Sequence, residues 1–416
     1  MIDRLRAQYE AYPYPPRDPA DEAKRLITGS PSQIAELNHY VFAGGRDFTR
    51  PFRALVAGGG TGDGAIMLGQ QLKDTGGPGE VVYLDISEPS AAIARARAES
   101  RGLDNIRFVT GSIADIETLD LGTFDYIDCC GVLHHLDDPA AGWRCLNAAL
   151  GPDGGMGVML YAKLGRVGVY DVQAMLRMIA GSGADDGTGG GNHAQRIAIA
   201  RKLLNALPPT NWLKRNPLVG DHLGAGDAGL FDLFLHSRDR AYLVPEVAAL
   251  ANEAGMRIVG FIEPARYDPR YYVRDNELTA GLDRLSWIER CAFAERLAGN
   301  MKTHVFYAVK QANEADTVAK PDSKGAIPVP VGLDAAVIGQ GAARNRRLSV
   351  DYDGIKFTFA MPRLAAEIVA RIDGARSLGE IHAGMTPTPD WGDFVDQFGE
   401  LFAALNGFNL LFLRKP

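Results

Sequence analysis

The strongest constraint on the fold is the alternation of short apolar runs with amphipathic segments between Arg53 and Ala162. Five runs have the length and composition of buried strands: "RALVAG", "EVVYLDIS", "IRFVTGS", "FDYIDCCGV" and "GGMGVMLYA". Segments between them, such as "AIMLGQQLKD" and "AAGWRCLNAAL", have helical spacing of their apolar residues. Strands alternating with helices are typical of βαβ units, in which a parallel sheet is covered on both faces. The pattern predicts a doubly wound, mostly parallel α/β fold.

The alternation of predicted strands and helices also indicates how the rest of the chain is divided. It breaks after residue 162, where helical pieces surround a glycine-rich stretch at 181–192, and it returns with the strand-like "RIVGFIEP" and "THVFYAVK". A polar stretch follows, and then a hairpin pattern around Asp353-Gly354 and a turn-then-helix segment, "ARIDGARSLGEI". We predict these parts: a lead-in at 1–50, a sheet domain at 51–162 and 243–310, a helical insertion at 163–242 after the fifth strand, a linker at 311–347, and a small winged-helix-like α+β domain at 348–416.

Composition excludes several classes of protein. Hydrophobic residues make up 46% of the chain and charged residues 23%, as in globular proteins with a core. The net charge of 44 − 51 = −7 argues against a general nucleic-acid binder. No stretch reaches the roughly 18 consecutive apolar residues of a membrane span, and the N-terminus lacks the apolar core of a signal peptide. The four cysteines form no framework of spaced pairs, so we expect a cytoplasmic protein.

A glycine-rich loop, "LVAGGGTGDGAI", joins the first predicted strand to the first predicted helix of the sheet. Glycines there allow a sharp turn and a close approach of the backbone to a ligand. Residues 60–65 fit the dinucleotide pattern G-x-G-x-x-G/A, and residues 58–62 equally fit the G-x-G-x-G of enzymes that bind S-adenosylmethionine. Asp85 ends the next strand, where its carboxylate can accept hydrogen bonds from two ribose hydroxyls. The glycine loop and Asp85 together predict a binding site for a nucleoside.

Adjacent cysteines and histidines in "FDYIDCCGVLHHL" raise the question of a metal site. Cys129 and Cys130 are neighbours on a strand, so their side chains point to opposite faces. His134 and His135 lack the separation of three or four residues that brings two ligands onto one helical face. We therefore predict no metal here.

Taken together, these motifs resemble those of the class I S-adenosylmethionine-dependent methyltransferases. The resemblance covers about residues 50–162 and 243–310, and the lead-in "YEAYPYPPRDP" is similar to that of a poorly characterised bacterial set. It implies a seven-stranded sheet with a reversed last strand. It also implies that S-adenosylmethionine is the cofactor and S-adenosylhomocysteine the product. The implied cofactor-binding residues are Gly58, Gly59, Gly60, Gly62, Asp63, Asp85, Ile86, Ser112, Ile113, Cys130 and Gly131.

One position departs from the family. An acid near the end of the first strand usually binds the ammonium group of the cofactor, but Val56 stands there in this chain. Backbone carbonyls, Asp63 or Asp128 are the alternatives. Tyr14, with the other lead-in tyrosines Tyr9 and Tyr12, is a candidate lid over the cofactor. Arg46 is a candidate partner for the cofactor carboxylate.

The catalytic and acceptor-binding candidates lie beyond the fourth and fifth strands. His134 is placed to act as a base or to line the methyl site, and a packing role is the alternative; Tyr161 and His236 are further catalytic candidates. The insertion offers a polar cluster that includes Asp232. Its guanidinium groups would suit an anionic acceptor, although surface ion pairing is the alternative. The predicted substrate-binding residues are Arg166, Tyr170, Arg238, Arg240 and Tyr242.

The predicted function is methyl transfer to a small-molecule or peptide acceptor that carries an anionic group. A nicotinamide-dependent oxidoreductase that uses "GTGDGA" as its loop is one alternative. A non-catalytic scaffold that keeps the cofactor site is the other. In either case the C-terminal domain, which has no basic stripe for DNA, is a candidate surface for a protein partner.

Overall fold

The computed structural model of the protein describes residues 2–180 and 193–416, so the glycine-rich stretch at 181–192 lies outside the described residues. In the described part of the chain, seven strands form one sheet in the order β3-β2-β1-β4-β5-β7-β6. Their bounds are β1 Phe52–Ala57, β2 Gly79–Asp85, β3 Ile106–Thr110, β4 Phe124–Cys130, β5 Leu150–Tyr161, β6 Met256–Phe261 and β7 Thr303–Lys310.

Strands β1 to β5 are parallel, and β7 runs antiparallel between β5 and β6. The predicted fold class, a doubly wound sheet with a reversed last strand, is confirmed. The chain crosses from one side of β1 to the other between β3 and β4. Ligands of such sheets bind at this switch point, beyond the carboxyl ends of the strands.

Helices cover both faces of the sheet and build the parts around it. Several begin at capping side chains, as α4 does at Ser87 and α5 at Asp138. The helices of the described residues are α1 Ile2–Ala11, α2 Ile34–Val41, α3 Asp63–Asp74, α4 Glu88–Ser100, α5 Pro139–Ala149, α6 Val169–Ala180, α7 His193–Ala206, α8 Asp221–Gly224, α9 Gly226–Leu230, α10 Val244–Glu253, α11 Asn276–Leu282, α12 Trp287–Ala298, α13 Ala335–Asn345, α14 Ala365–Val369, α15 Leu378–Ala383 and α16 Trp391–Asn406.

The sheet has an apolar core on each face. One face buries Ile127, Trp143 and Phe306 completely, and the other buries Leu37 of the lead-in against Phe52. Each such side chain contributes roughly 1.5–3 kcal/mol through burial. The core therefore holds the carboxyl ends of the strands in fixed positions. No helix of the described residues is long and apolar enough to cross a membrane.

The insertion is helical, as predicted, and has a core of its own around Val172, Leu230 and Phe234. It follows β5 directly and includes a π-helical turn at Phe231–Leu235 after α9. The chain then returns to the sheet where Ala162 bridges Tyr242. The insertion therefore stands at the carboxyl edge of the sheet.

The C-terminal part is an α+β unit. Its hairpin pairs β9 Arg347–Tyr352 with β10 Ile355–Ala360, and the turn has positive φ at Asp353 and Gly354, as a two-residue hairpin turn of this sequence requires. Strand β8 Ile327–Pro330 pairs with β11 Leu411–Arg414. The segment predicted as a linker at 311–347 therefore contributes β8 and α13 to this unit and is not only a connector.

Candidate functional site

A cavity of about 420 Å³ opens at the carboxyl edge of the sheet, where β1, β2 and β4 end. Loops after these strands form its floor, and residues 27–32 of the lead-in form one wall. Tyr161 at the end of β5 and Asp232 of the insertion also line the cavity. The cavity therefore lies where the sheet topology predicts a ligand.

The glycine loop forms the floor, and its geometry admits no side chain. Gly58 and Gly60 have φ of +75° and +51°. A Cβ on Gly58 would lie 2.3 Å from Val132, and one on Gly59 would lie 2.2 Å from the Tyr83 ring. Larger residues would displace these neighbours, so the loop keeps its backbone open to a ligand. Gly62 does not line the cavity; it begins α3 at φ +103° and packs against Ala94.

Asp85 lies beside this loop and lines the cavity. Its carboxylate accepts hydrogen bonds from the backbone N–H of Gly60 at 2.7 Å and of Ser87 at 2.8 Å. Burial raises the pKa of Asp85, although these bonds act in the opposite direction. The carboxylate is thus held in place with accepting capacity left for ligand hydroxyls.

Most of the predicted cofactor residues meet at this cavity. The predicted cofactor residues that line the cavity are Gly58, Gly59, Gly60, Asp63, Asp85, Ile86, Ser112, Ile113, Cys130, Gly131 and Tyr14. Cys129 is buried behind Cys130, as the opposite faces of a strand require. The glycine cradle and Asp85 suit the nucleoside half of S-adenosylmethionine.

Asp63 is engaged by two arginines of the surrounding structure. Arg17 donates to it at 2.6 Å and Arg97 at 2.7 Å. Burial alone would raise the pKa of Asp63, but the hydrogen bonds from these arginines lower it. Arg97 is fully buried and also binds Glu22 of the lead-in at 2.7 Å. These ion pairs attach the lead-in to the glycine loop.

Asp128 occupies the place next to the missing acid. It is the direct register partner of Val56 on β4, it is 2% exposed, and it lines the cavity. The Ser32 hydroxyl donates to it at 2.5 Å. Burial raises its pKa to about 6. Of the two acids considered for the cofactor ammonium, Asp128 is the one not bound to arginines.

The lead-in forms a roof over the cavity. Tyr9, Tyr14 and Pro15 line it. The Thr61 hydroxyl donates to the Pro15 carbonyl at 2.7 Å, and the Ser87 hydroxyl donates to the Tyr9 carbonyl at 3.2 Å. The roof is therefore fastened to the loops that follow β1 and β2.

One part of the cavity lining brings together groups from distant parts of the chain. Asp232 is 7% exposed and accepts from the hydroxyls of Tyr9 at 3.4 Å and Tyr161 at 3.3 Å. Burial raises the pKa of both tyrosines, so both keep their protons and donate. His135 lines the same part of the cavity. We call Tyr9, His135, Tyr161 and Asp232 the distal cluster.

Two stacked histidines belong to this part of the cavity. Their rings lie 3.8 Å apart, and burial lowers the pKa of His135 to about 4 and that of His236 well below its usual range, so both are neutral. His135 Nδ1 faces the carbonyl of Arg238 at 2.8 Å, so Nδ1 carries the proton and Nε2 the lone pair. His236 Nδ1 accepts from the Arg238 N–H, so its Nε2 is protonated and donates to Tyr9.

Among the described residues, His135, Asp232 and His236 have ligand atoms within 4.8 Å of one another, the spacing of a metal site. Two observations disfavour an ion in this arrangement. Stacked imidazoles cannot both direct an in-plane lone pair at one point between them. The Arg238 N–H also fixes the proton of His236 on the nitrogen that faces Tyr9. The groups as placed suit hydrogen bonding better than metal ligation.

Several predicted residues lie elsewhere. Arg46 is at the opposite edge of the sheet, where its guanidinium contacts Asp125 at 3.5 Å and stacks on Phe52. It lies away from the cavity, so the structure corrects its prediction as a cofactor ligand. His134 does not line the cavity either; it is buried with its ring 3.9 Å from that of Tyr161. His134 therefore has the packing role that was the alternative to catalysis.

The predicted substrate-binding residues also lie outside the cavity lining. Arg166 pairs with buried Asp239 at 3.2 Å, and Tyr170 donates to the same carboxylate at 2.7 Å. Tyr242 is buried in the core. Arg238 and Arg240 are exposed and pair with Asp137 and Glu246. These arginines therefore form ion pairs with acids of the protein, which was the alternative to anion binding. Their prediction as ligands of an anionic acceptor is corrected.

Comparison with known proteins agrees with this geometry. Residues 55–156 match the family model of a methyltransferase domain. The chain is 30% identical over 306 residues to the uncharacterized protein syc1184_c of Synechococcus sp., across 71% of this chain and 69% of that protein. The two proteins belong to one family. A shorter match, 32% over 117 residues, covers 27% of the chain and 44% of the ubiquinone/menaquinone biosynthesis C-methyltransferase UbiE of Idiomarina loihiensis.

Among solved structures, the chain is similar to PKMT2 from Rickettsia typhi in complex with AdoHcy, with a TM-score of 0.61. The match covers 94% of this chain and 76% of that one at 15% identity. A second structure of PKMT2 from Rickettsia typhi gives a TM-score of 0.62. The protein therefore has the fold of the S-adenosylmethionine-dependent methyltransferases.

Two groups of cavity residues were missed from the sequence. His135 was considered only as a metal ligand, and no pattern distinguishes it from His134. Residues 27–32 were assigned no role, although Ser32 reaches Asp128. Asp232 and Tyr9 were noted, but not their contact, because they are 223 residues apart.

Proposed function

We propose that the protein binds S-adenosylmethionine in this cavity and catalyses transfer of its methyl group. The observation that carries the proposal is the pairing of the glycine cradle with Asp85 at the switch point of the sheet. In this assignment Asp85 receives the ribose hydroxyls, and Ser112 and Ile113 flank the adenine. Asp128 takes the ammonium group in place of the acid that Val56 replaces. The cofactor supplies a methyl group on an activated sulfonium.

The protein contributes position and exclusion of water. Methyl transfer is an in-line displacement, so most of the acceleration comes from holding the acceptor at the methyl group. The roof formed by Tyr9, Tyr14 and Pro15 lines the cavity and is placed to limit the access of solvent to it. The distal cluster lines the same cavity and is the proposed acceptor site.

Calorimetry with S-adenosylhomocysteine and NAD⁺ tests this proposal directly. We expect heat from the first ligand and none from the second. Binding of NAD⁺ with no S-adenosylhomocysteine binding would favour the oxidoreductase alternative. Labelled S-adenosylmethionine incubated with cell extract then separates an enzyme from a scaffold, because only the enzyme labels an acceptor.

Two finer points belong to the same proposal. All four cysteines are free, which supports a reducing compartment such as the cytoplasm. A small molecule or a peptide remains the proposed acceptor, and the C-terminal unit remains a proposed surface for a protein partner. The domain bounds given above also remain predictions, except the linker, whose residues contribute β8 and α13 to the C-terminal unit.

A further inference from the structure

We infer that Ser32 is a positioning residue for the cofactor, because its hydroxyl holds the Asp128 carboxylate that receives the ammonium group of S-adenosylmethionine. The inference rests on the proposed function, in which Asp128 takes the ammonium group, and it names the residue that prepares Asp128 for this role. It also gives the wall at residues 27–32 a part in binding the cofactor, although the sequence indicated none.

Asp128 is a buried carboxylate that the protein satisfies only in part. It is 2% exposed and lines the cavity. Among the residues that the structure describes, its only hydrogen-bond partner is the Ser32 hydroxyl, which donates to Oδ2 at 2.5 Å, and no arginine or lysine pairs with it. A buried carboxylate oxygen without a donor is unfavourable unless a ligand supplies one. An ammonium group brings both N–H donors and a positive charge.

The position of Ser32 is fixed by contacts of the backbone around it. The Gln71 side chain of α3 donates to the Ser32 carbonyl at 2.8 Å. The preceding carbonyl, that of Pro31, accepts from the hydroxyls of Tyr126 at 2.7 Å and Tyr307 at 3.0 Å. These bonds join the wall to α3 and to two strands of the sheet, so the Ser32 hydroxyl is presented by a segment that is fastened in place.

Gly64, in the first turn of α3, leaves room for the contact between Ser32 and Asp128. A Cβ at this position would lie 3.0 Å from Ser32 Oγ and 3.1 Å from Asp128 Oδ2, so a larger residue would press on both partners. The positive end of α3 also favours the ionised form of a carboxylate beside it. Both features favour a hydrogen bond from Ser32 to an ionised Asp128.

The hydroxyl of Ser32 acts on the charge of Asp128. Burial raises the pKa of Asp128 to about 6, and the hydrogen bond from Ser32 acts in the opposite direction. Loss of this bond should therefore raise the pKa of Asp128 further, so that less of the carboxylate is ionised at neutral pH. Because only the ionised carboxylate attracts an ammonium group, Ser32 affects the affinity for the cofactor through Asp128.

Other titratable groups near Asp128 do not hide this effect. Although burial acts to raise it, the pKa of Asp63 is kept low by hydrogen bonds from two arginines. Glu36, which binds the Ser30 hydroxyl of the wall at 2.7 Å, has a pKa raised to about 7 by burial, and its titration is common to the native protein and to variants of Ser32. Burial also raises the pKa of the remaining neighbours, which stay neutral: Tyr126, Tyr307, Cys129 and Cys130.

Calorimetry on the whole chain, repeated between about pH 5 and about pH 8.5, tests the inference. S-adenosylhomocysteine carries the amino-acid portion of the cofactor, and 5′-methylthioadenosine lacks it. We expect Ser32→Ala to weaken S-adenosylhomocysteine binding about fivefold at neutral pH, and to raise the pH at which this affinity falls by about one unit. Affinity for 5′-methylthioadenosine should stay within about twofold. Ser32→Thr, which keeps the hydroxyl, should restore both values, and Ser32→Cys, a weaker donor, should shift the pH dependence in the same direction as Ser32→Ala.

Three further variants separate positioning from a merely structural role. Gln71→Met loosens the same segment but keeps the Ser32 hydroxyl, so the pH dependence should not move. Asp128→Asn has no carboxylate to titrate, so adding Ser32→Ala to it should change S-adenosylhomocysteine affinity by less than about twofold. Ser100→Ala is the matched control, because this serine is exposed on α4 and its hydroxyl donates to the Ala96 carbonyl.

Three results would overturn the inference: unchanged pH dependence in Ser32→Ala, an equal shift in Gln71→Met, or an equal loss of affinity for 5′-methylthioadenosine. Absence of S-adenosylhomocysteine binding in the unaltered protein would instead overturn the proposed function. Binding that Ser32→Ala leaves unaffected keeps the proposed function and removes Ser32 from it, so the two failures are distinguishable.

Discussion

The two ends of the cavity are built from the chain in different ways. The end near Asp85 is formed by consecutive strand-to-helix loops between Val56 and Gly131, which a parallel sheet brings to one edge. The distal end is formed by Tyr9, His135, Tyr161 and Asp232, which come from the lead-in, the turn after β4, the end of β5 and the insertion. The first end follows from topology. The second depends on how separate segments pack.

Arg97 tests how firmly the roof is joined to the first end. Its guanidinium is fully buried and binds Glu22, Asp63 and the Thr61 carbonyl. Arg97→Met removes one of the two arginines that bind the buried Glu22 carboxylate, Arg101 being the other, and leaves the Thr61 carbonyl without its donor, so we expect unfolding to become easier by about 1–3 kcal/mol. Urea denaturation of the variant and of the native protein measures this change in the free energy of unfolding.

Arg240→Met is the matched control, since this arginine pairs with Glu246 at the surface, where an ion pair contributes about 0–1 kcal/mol. Equal losses in the two variants would show that the buried pairs do not fasten the roof.

Asp85 tests whether the two ends act separately. Asp85→Ala should weaken S-adenosylhomocysteine binding by about 1–3 kcal/mol, because ligand hydroxyls lose their acceptor. Asp232→Asn should spare that affinity. Glu88→Ala is a neighbouring control, since Glu88 is exposed and outside the cavity lining. Calorimetry that finds the same loss in Asp85→Ala and Asp232→Asn would remove the distinction between the ends.

The difference between the ends explains what could be predicted from the sequence. Strand period, the glycine loop and the strand-end acid are local patterns, so the fold class and the position of Asp85 beside the glycine loop followed from them, whereas Ser112 was implied by the family resemblance. A side chain's direction beyond a strand end is not local. His134 and His135 are adjacent in sequence and both are buried, yet only His135 is part of the cavity lining, while the ring of His134 lies 3.9 Å from that of Tyr161.

The arginines of the insertion illustrate the same limit. Sequence places Arg166, Arg238 and Arg240 near the acceptor side, but not the acids that bind them. Asp239, Asp137 and Glu246 become their partners only once the chain has folded back after the π-helical turn. Which acid pairs with an arginine depends on the tertiary structure. A cluster of arginines in the sequence therefore does not by itself predict an anion-binding site.

Substitution of Asp128 has the smallest expected effect on ligand affinity. It tests whether Asp128 binds the ammonium group of the cofactor. Asp128→Asn should weaken S-adenosylhomocysteine binding by about 1 kcal/mol at neutral pH, because desolvation of a buried carboxylate offsets much of its attraction for an ammonium group. 5′-Methylthioadenosine, which lacks the amino-acid portion, should bind the variant and the native protein equally. A matching loss with both ligands would place Asp128 outside the ammonium site.

The pH dependence of binding follows from the raised pKa of Asp128, about 6. Because an ammonium group is attracted only to the ionised carboxylate, S-adenosylhomocysteine affinity of the native protein should fall as pH drops through 6. Stability changes in the opposite direction. The folded state holds the proton of Asp128 more tightly than the unfolded state does, so the contribution of Asp128 to folding is greatest below about pH 4 and is lost as pH rises through 6.

Calorimetry across this pH range should show a pH-dependent affinity for S-adenosylhomocysteine that Asp128→Asn abolishes. Since Asp85 also faces the nucleoside, any pH dependence shared with 5′-methylthioadenosine belongs to Asp85, and only the remainder reports on Asp128.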